Sequence, residues 1–168
     1  MKILGIDPGL AHTGYGIIGI KHNKLFLISE GVVATAPSLS PGERLNKIYS
    51  VILELIDRFK PNQAGIESLY FAKNITSAIP VAQARGVVLL ACAQREVPAF
   101  EYPPQAIKQA IVGNGRAEKE QVQELVKMLL CLKNVPESDH ASDALAAAIC
   151  HFHMVETSNS INNGRRNV

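Results

Sequence analysis

The sequence predicts a single α/β domain built on a mixed five-stranded sheet with helices on both faces. Three β-rich runs follow one another in the first 35 residues, and helical patterns then alternate with two further short strands. A chain of 168 residues, 47% hydrophobic and 19% charged, can bury one substantial core. We expect this domain to span residues 1–156, followed by a polar, disordered tail at 157–168.

The first half of the chain begins with an antiparallel meander. Strands are predicted at residues 2–7, 14–20 and 25–35, joined by tight turns. A helix should begin at Ser40, because Pro41 follows at the first helical position and Glu43 completes a capping box. Its apolar residues recur every three or four positions until Lys60, and a fourth strand follows at 63–67.

The second half is predicted to be mainly helical. Residues 74–95 form a long apolar helix with Pro80 in its first turn, which is either buried or a dimer contact. A fifth strand is expected at 97–102. Three more helices are expected at 104–112, 118–131 and 138–155.

Composition excludes several classes of protein. No apolar run approaches the roughly 20 residues that a membrane span needs, and no signal-peptide pattern is present, so we expect a cytoplasmic protein. Cys92, Cys131 and Cys150 lie far apart in apolar helical patterns, which indicates reduced core thiols. A zinc site in Cys150-His151-Phe152-His153 is the alternative, but it lacks a second ligand pair. The net charge of +2 does not by itself indicate a nucleic-acid binder.

Two carboxylates end predicted strands. Asp7 closes an apolar run before Pro8 and Gly9, and Glu67 closes another before a loop. Each has an ordinary alternative, since a strand-terminal Asp often caps a turn and a strand-terminal Glu is often solvated. Polar residues at strand ends are nevertheless where α/β proteins usually place their chemistry.

A third group opens the last predicted helix. His140 and Asp143 are three residues apart, so they share one helix face, and the small residues after them would let this helix approach a sheet closely. The alternative is that Asp139 and His140 only complement the helix dipole. If these groups converge with the strand-end carboxylates, their mutual repulsion requires a divalent cation, and oxygen-rich ligation favours Mg²⁺ or Mn²⁺ over zinc. Two such ions, about 3.5–4 Å apart, serve phosphodiester hydrolysis.

Several motifs together resemble those of the RuvC family. The resemblance covers residues 1 to about 155 and rests on four segments, Ile6-Asp7-Pro8-Gly9 with Thr13-Gly14-Tyr15-Gly16, Ile66-Glu67 with Ala72-Lys73-Asn74, Gln83-Ala84-Arg85-Gly86, and Asp143-Ala144-Leu145-Ala146. It implies a ribonuclease-H-like fold and a Mg²⁺-dependent homodimeric crossover-junction endodeoxyribonuclease. Such an enzyme nicks two opposed strands of a Holliday junction, leaves ends that ligase can seal, and works with the RuvA and RuvB branch-migration proteins.

The resemblance also assigns roles to residues. Asp7, Glu67 and Asp143 match the family's acidic ligands, and His140 falls at the fourth ligand position, where family members carry Asp or His. Asp139, one residue earlier, is the competing candidate. A neutral His in this position should favour Mn²⁺ over Mg²⁺. The residues expected to contact DNA are Tyr70, which would stack on an unpaired base, and four basic residues that would contact phosphates, Lys73, Lys108, Arg116 and Lys119.

Other interpretations remain, both for single residues and for the whole protein. Phe71 beside Tyr70 is either a second DNA contact or packed under its loop, and each lysine has the simpler explanation of a solvated surface charge. Actin-like ATPases share the expected fold but need two such domains. A nuclease for RNA–DNA hybrids and a junction-binding protein without activity are the other rivals, and the filled carboxylate positions favour an active enzyme.

Overall fold

The computed structural model describes residues 1–68 and 75–165, except for the side chains of 75–77 and 158–165. Within these ranges the elements are β1 (Lys2–Asp7), β2 (His12–Lys21), β3 (Lys24–Ala34), α1 (Pro41–Phe59), β4 (Gln63–Glu67), α2 (Ile75–Gln94), β5 (Ala99–Tyr102), α3 (Pro104–Val112), α4 (Lys119–Leu129) and α5 (Asp139–Arg165).

The strands form one mixed sheet in the order β3-β2-β1-β4-β5. β1 pairs antiparallel with β2 and β2 with β3, as the meander prediction requires. β4 pairs parallel with β1, and β5 pairs parallel with β4. The predicted mixed five-stranded sheet is confirmed. Because β1, β4 and β5 run in the same direction, their carboxyl ends meet at one edge of the sheet.

Alternating residues of the strands face two separate helix layers. Leu4 and Ile6 of β1 are fully buried in a core shared with α1 and α2. Ile3 and Ile18 are fully buried in a second core, shared with α3, α4 and α5. The period-2 alternation of a strand therefore places Gly5 and Asp7 on the same face as Ile3, toward α5.

Helix α5 lies unusually close to the sheet. A Cβ added at Gly5 would overlap the carbonyl oxygen of Ala144, and one added at Gly14 would overlap that of His140. Gly5 meets Ala144 and Ala148, two of the small residues after Asp143, and Gly14 meets the backbone of His140, so the backbone of α5 comes almost into contact with β1 and β2. The predicted close approach of this helix is confirmed, and it brings the first turn of α5 to the sheet edge where β1 ends.

Four details differ from the sequence prediction. Pro80 lies inside α2, not in its first turn, because the helix already begins at Ile75. α4 ends at Leu129, and the chain turns through Cys131 at φ 53°, so this thiol is exposed while Cys92 and Cys150 are buried. The prediction of a core thiol at Cys131 is wrong.

The fourth difference concerns the end of the chain. α5 continues to Arg165, ten residues beyond its predicted end at residue 155. Residues 156–163 contain no Pro or Gly that would interrupt the backbone hydrogen bonds of a helix. Whether residues 157–168 form a disordered tail in solution stays a prediction. None of the helices in the described ranges combines the length and the apolarity needed to cross a bilayer.

Candidate active site

Two carboxylates are placed side by side by the parallel pairing of β1 and β4. Ile6 is paired with Ile66, so Asp7 and Glu67 follow on adjacent strands at the same sheet edge. Neighbouring strands of a sheet are about 4.8 Å apart. Both side chains lie on the face covered by α5, and Asp7 is only 19% exposed. The sheet register therefore fixes the first pair of candidate ligands.

His140 reaches this pair from the first turn of α5. Its Nδ1 lies 2.7 Å from Oδ2 of Asp7, the distance of a hydrogen bond in which the imidazole N–H donates to the carboxylate. This bond selects the tautomer that leaves a lone pair on Nε2. The structure thus brings His140 into contact with Asp7, and within residues 1–68 and 75–165 no hydrogen-bond partner occupies Nε2, which can act as a ligand.

Asp143 lies one turn further along α5, next to Lys119 of α4. The Nζ of Lys119 is 3.3 Å from Oδ2 of Asp143 and 3.2 Å from Oδ2 of Asp139. Asp139 also accepts a hydrogen bond from Gln123, and its side chain is 67% exposed. The geometry therefore directs His140 toward Asp7, while Asp139 faces outward and pairs with α4.

Burial and mutual repulsion both disfavour the ionised carboxylates of this site. Burial, together with the charges of Asp7 and Asp143, raises the pKa of Glu67 to about 8, against the attraction of Lys119 and Lys108. Burial also raises the pKa of Asp143, and Lys119 opposes this effect. At neutral pH Glu67 therefore holds a proton unless another positive charge enters the site.

These side chains fit a hard divalent cation. Three carboxylates and one imidazole nitrogen form an oxygen-rich donor set of the kind that Mg²⁺ and Mn²⁺ prefer. In the described part of the chain, no three His, Cys, Asp or Glu side chains are already arranged around one point as ligands. Because His140 holds Asp7 and Lys119 holds Asp143, a bound cation would have to compete with Lys119 for the Asp143 carboxylate.

A cleft opens beside Glu67 and Asp143. It has a volume of about 170 Å³, and Lys108 and Lys119 line it together with the apolar side chains of α3 and α4. Lys108 donates a hydrogen bond of 2.7 Å to the carbonyl oxygen of Ala117, which fixes its ammonium group at the rim. Two of the predicted phosphate contacts therefore line the cleft that holds the carboxylates.

The other predicted DNA contacts are placed differently. Arg116 is exposed and lines a separate open groove with Gln105 and Asn114. Tyr70, Phe71 and Lys73 lie outside the described residues, so their predicted roles stay predictions.

Two polar features of the structure had no signal in the sequence analysis. His12 stacks on His140 with ring centroids 5.5 Å apart, and Arg44 lies in a groove that these two rings border. In the sequence, His12 is distinguished only by its place between Asp7 and the predicted strand at 14–20. Nothing in the sequence places the start of α1, where Arg44 lies, beside the end of β1.

The alternative zinc site is not formed. His151 is fully buried, and its two ring nitrogens lie 2.7 Å from the Tyr102 hydroxyl and 2.9 Å from Oε1 of Gln63. Burial lowers the pKa of His151. Both nitrogens are therefore occupied by structural hydrogen bonds, and the zinc interpretation is wrong.

Comparison with known proteins agrees with this geometry. The family model for Crossover junction endodeoxyribonuclease RuvC matches residues 3–151. The chain belongs to the RuvC family. It is 55% identical to Crossover junction endodeoxyribonuclease RuvC of Treponema denticola over 152 residues, which cover 90% of this chain and 85% of the relative.

Solved RuvC structures match the whole architecture. The structure of Thermus thermophilus RuvC superimposes with a TM-score of 0.88 at 35% identity, covering 94% of this chain and 97% of the other. T. thermophilus RuvC in complex with Holliday junction substrate gives a TM-score of 0.86 at 34% identity, with coverages of 94% and 96%. The expected ribonuclease-H-like fold is confirmed, and with it the assignment of the chain to a family of metal-dependent nucleases.

Proposed function

We propose that this protein resolves Holliday junctions by nicking two opposed strands in a metal-dependent hydrolysis, in homologous recombination and DNA repair. The observation that carries the proposal is the convergence of Asp7, Glu67, His140 and Asp143 at one sheet edge of a RuvC-family chain. The T. thermophilus relative has been solved with a Holliday junction substrate, which supports junction DNA as the substrate of this chain.

Asp7, Glu67, Asp143 and Nε2 of His140 would hold Mg²⁺, two ions per subunit, and Mn²⁺ would replace it. The bound ions would activate water and neutralise charge on the phosphate. The hydrogen bond between His140 and Asp7 orients both side chains and directs Nε2 away from Asp7. Ionised Glu67 and Asp143 complete the acidic face that orients the attacking water.

The basic side chains beside the carboxylates would stabilise the reacting phosphate. Lys108 is fixed at the rim by its bond to Ala117, and Lys119 is free to move from Asp143 to a phosphate oxygen once a cation takes its place. Preorganised positive charge next to a transferring phosphate is among the largest contributions to such catalysis. Arg116 and Lys73 would contact further phosphates of the junction, and Tyr70 would stack on an unpaired base near the crossover.

The junction is itself nearly two-fold symmetric, so we propose that the protein acts as a homodimer. The exposed face of α2 carries Ile79 at 54% and Leu90 at 51% exposure, while Ala84 and Val88 of the same helix are buried in the core. Exposed apolar side chains in helical spacing are typical of a subunit contact. Leu90→Glu should convert the dimer to a monomer in sedimentation velocity, and a wild-type protein that sediments as a monomer would contradict the contact.

The remaining parts of the proposal concern the cell. Residues 1–156 would form the nuclease domain, and 157–168 a terminal extension without catalytic groups. The RuvA and RuvB branch-migration proteins would deliver the junction to the dimer in the cytoplasm.

The decisive test compares substrates. The wild type and Asp7→Asn are incubated with a labelled four-way junction, a linear duplex of the same sequence and an RNA–DNA hybrid, in Mg²⁺ and in Mn²⁺. We expect the wild type to nick only the junction, and Asp7→Asn to bind the junction without cutting it. Preferential cleavage of the hybrid would show a different nuclease of the same fold, and junction binding without cleavage in either metal would show a binding protein.

A further inference from the structure

A second groove borders the candidate active site, and it shares no lining residue with the cleft that holds Lys108 and Lys119. It has a volume of about 380 Å³ and is lined by the loop after Asp7, by His12 and His140, by Arg44 of α1, and by Pro80 and Val81 inside α2. His140 belongs to both regions, since its ring also bonds Asp7. The groove therefore adjoins the carboxylates through His140.

Arg44 is held in a fixed orientation at this groove. Its Nε donates a 2.8 Å hydrogen bond to Oγ1 of Thr35, whose hydroxyl in turn donates to the carbonyl oxygen of Leu10. Thr35 is buried, which makes it a rigid anchor. The side chain therefore bridges α1, the end of β3 and the loop after Asp7.

The charge of Arg44 has no acidic partner among the described residues. Arg85 is paired with Glu101, and Arg95 with Asp57, each through two nitrogens. No described carboxylate lies within 4.0 Å of the Arg44 guanidinium, and no acidic side chain lines the groove. A guanidinium fixed through Nε presents its two outer nitrogens as a fork, the geometry that binds phosphate oxygens.

We propose that Arg44 binds a backbone phosphate of the cleaved strand, on the side of the reacting phosphate opposite to Lys108 and Lys119. The imidazole of His12, stacked on His140, lines the path between the two phosphates. The strand is then held on both sides of the carboxylates, which fixes its direction through the site. This inference rests on the proposed function, because it takes junction DNA as the ligand.

The test measures the salt dependence of junction binding. Wild type, Arg44→Gln and Arg44→Met are titrated onto a fluorescent four-way junction in EDTA, over a salt range of about 50 to 200 mM. Arg58→Gln is the matched control, because Arg58 is an exposed arginine at the other end of the same helix. That end of α1 lies beside the start of β1, where Lys2 donates a hydrogen bond to the carbonyl oxygen of Phe59, whereas the candidate ligand Asp7 ends β1. Arg44→Met keeps the aliphatic stem, so it serves as the test variant if Arg44→Gln does not fold.

Loss of one phosphate contact should lower the slope of log K against log salt by about 0.9. Over the fourfold salt range the wild type then loses about threefold more affinity than the Arg44 variant, and Arg58→Gln parallels the wild type. An Arg44 variant weakened by the same factor at every salt concentration would show a purely structural role and overturn the inference. A wild type that binds no junction would overturn the proposed function as well, so the two failures are distinguishable.

Discussion

Glu67→Gln should stabilise the metal-free protein at high pH. The folded chain holds the Glu67 pKa at about 8, against an ordinary value of 4.5, because the carboxyl is buried beside Asp7 and Asp143. Between these two pH values the unfolded chain ionises Glu67 while the folded chain keeps it protonated, so folding stability falls as pH rises. The accumulated loss is at most about 5 kcal/mol at pH 8 and about 3 kcal/mol at pH 7.

Gln has nearly the shape of the protonated Glu and cannot ionise, so Glu67→Gln removes this loss. Urea unfolding in EDTA should give equal stabilities for wild type and variant near pH 4.5, and a difference that grows in favour of the variant up to pH 8. Glu54→Gln, at an exposed position of α1, is the control and should show no such trend. A loss of several kcal/mol is a large share of the net stability of a typical domain, so it is readily measured.

Added Mg²⁺ supplies a second arm of the same experiment. A cation that needs ionised Glu67 should stabilise the wild type at pH 8 more than the variant, with a gain that grows with metal concentration. A stability difference between wild type and Glu67→Gln that does not change with pH would show that the pKa of Glu67 is not raised in the folded chain. It would mean that Glu67 is ionised in the folded chain and that the carboxylates do not share one crowded site.

Three further changes test other parts of the structure. His140→Asp adds a fourth carboxylate, so at limiting metal the ratio of cleavage rates in Mg²⁺ and Mn²⁺ should rise relative to the wild type. A wild type that cuts equally fast in both metals would show that the imidazole does not favour Mn²⁺. Gly5→Ala forces a Cβ into the carbonyl of α5 and should cost about 3 kcal/mol or more in urea unfolding, whereas Gly42→Ala, with open space around it, should be neutral or slightly stabilising. Arg116→Gln should lower the salt slope of junction binding by about one unit, and an unchanged slope would make Arg116 a surface charge only.

The fold and the placement of the carboxylates could largely be predicted, because local chemistry determines them. The capping box at Ser40 forms as predicted, with Glu43 bonding the Ser40 backbone, so the start of α1 was readable. The runs ending at Asp7 and Glu67 are apolar and short, and parallel pairing then forces their ends together. The small residues after Asp143 predicted a helix that packs closely against the sheet, and Ala144 and Ala148 lie against Gly5 of β1.

Features that depend on tertiary contacts could not be predicted. Arg44 lies 37 residues beyond Asp7, and only the packing of α1 against the sheet brings it to the loop after β1. The pairing of Lys119 with both Asp139 and Asp143 depends on the angle between α4 and α5. Cys131 has apolar residues on both sides in the sequence. Its own backbone nevertheless has a positive φ, which lies just after the end of α4, and its thiol is exposed.

Two equivalent sites of a resolvase should each cut one strand of a Holliday junction. Mapping the nicks at nucleotide resolution on all four strands of a junction with a fixed crossover, followed by treatment with ligase, tests this for the present protein. We predict nicks at symmetric positions on two opposed strands only, both sealed by ligase, and none with Asp7→Asn. Cuts confined to one strand, cuts on adjacent strands or products that ligase cannot seal would show that the protein is not a symmetric resolvase.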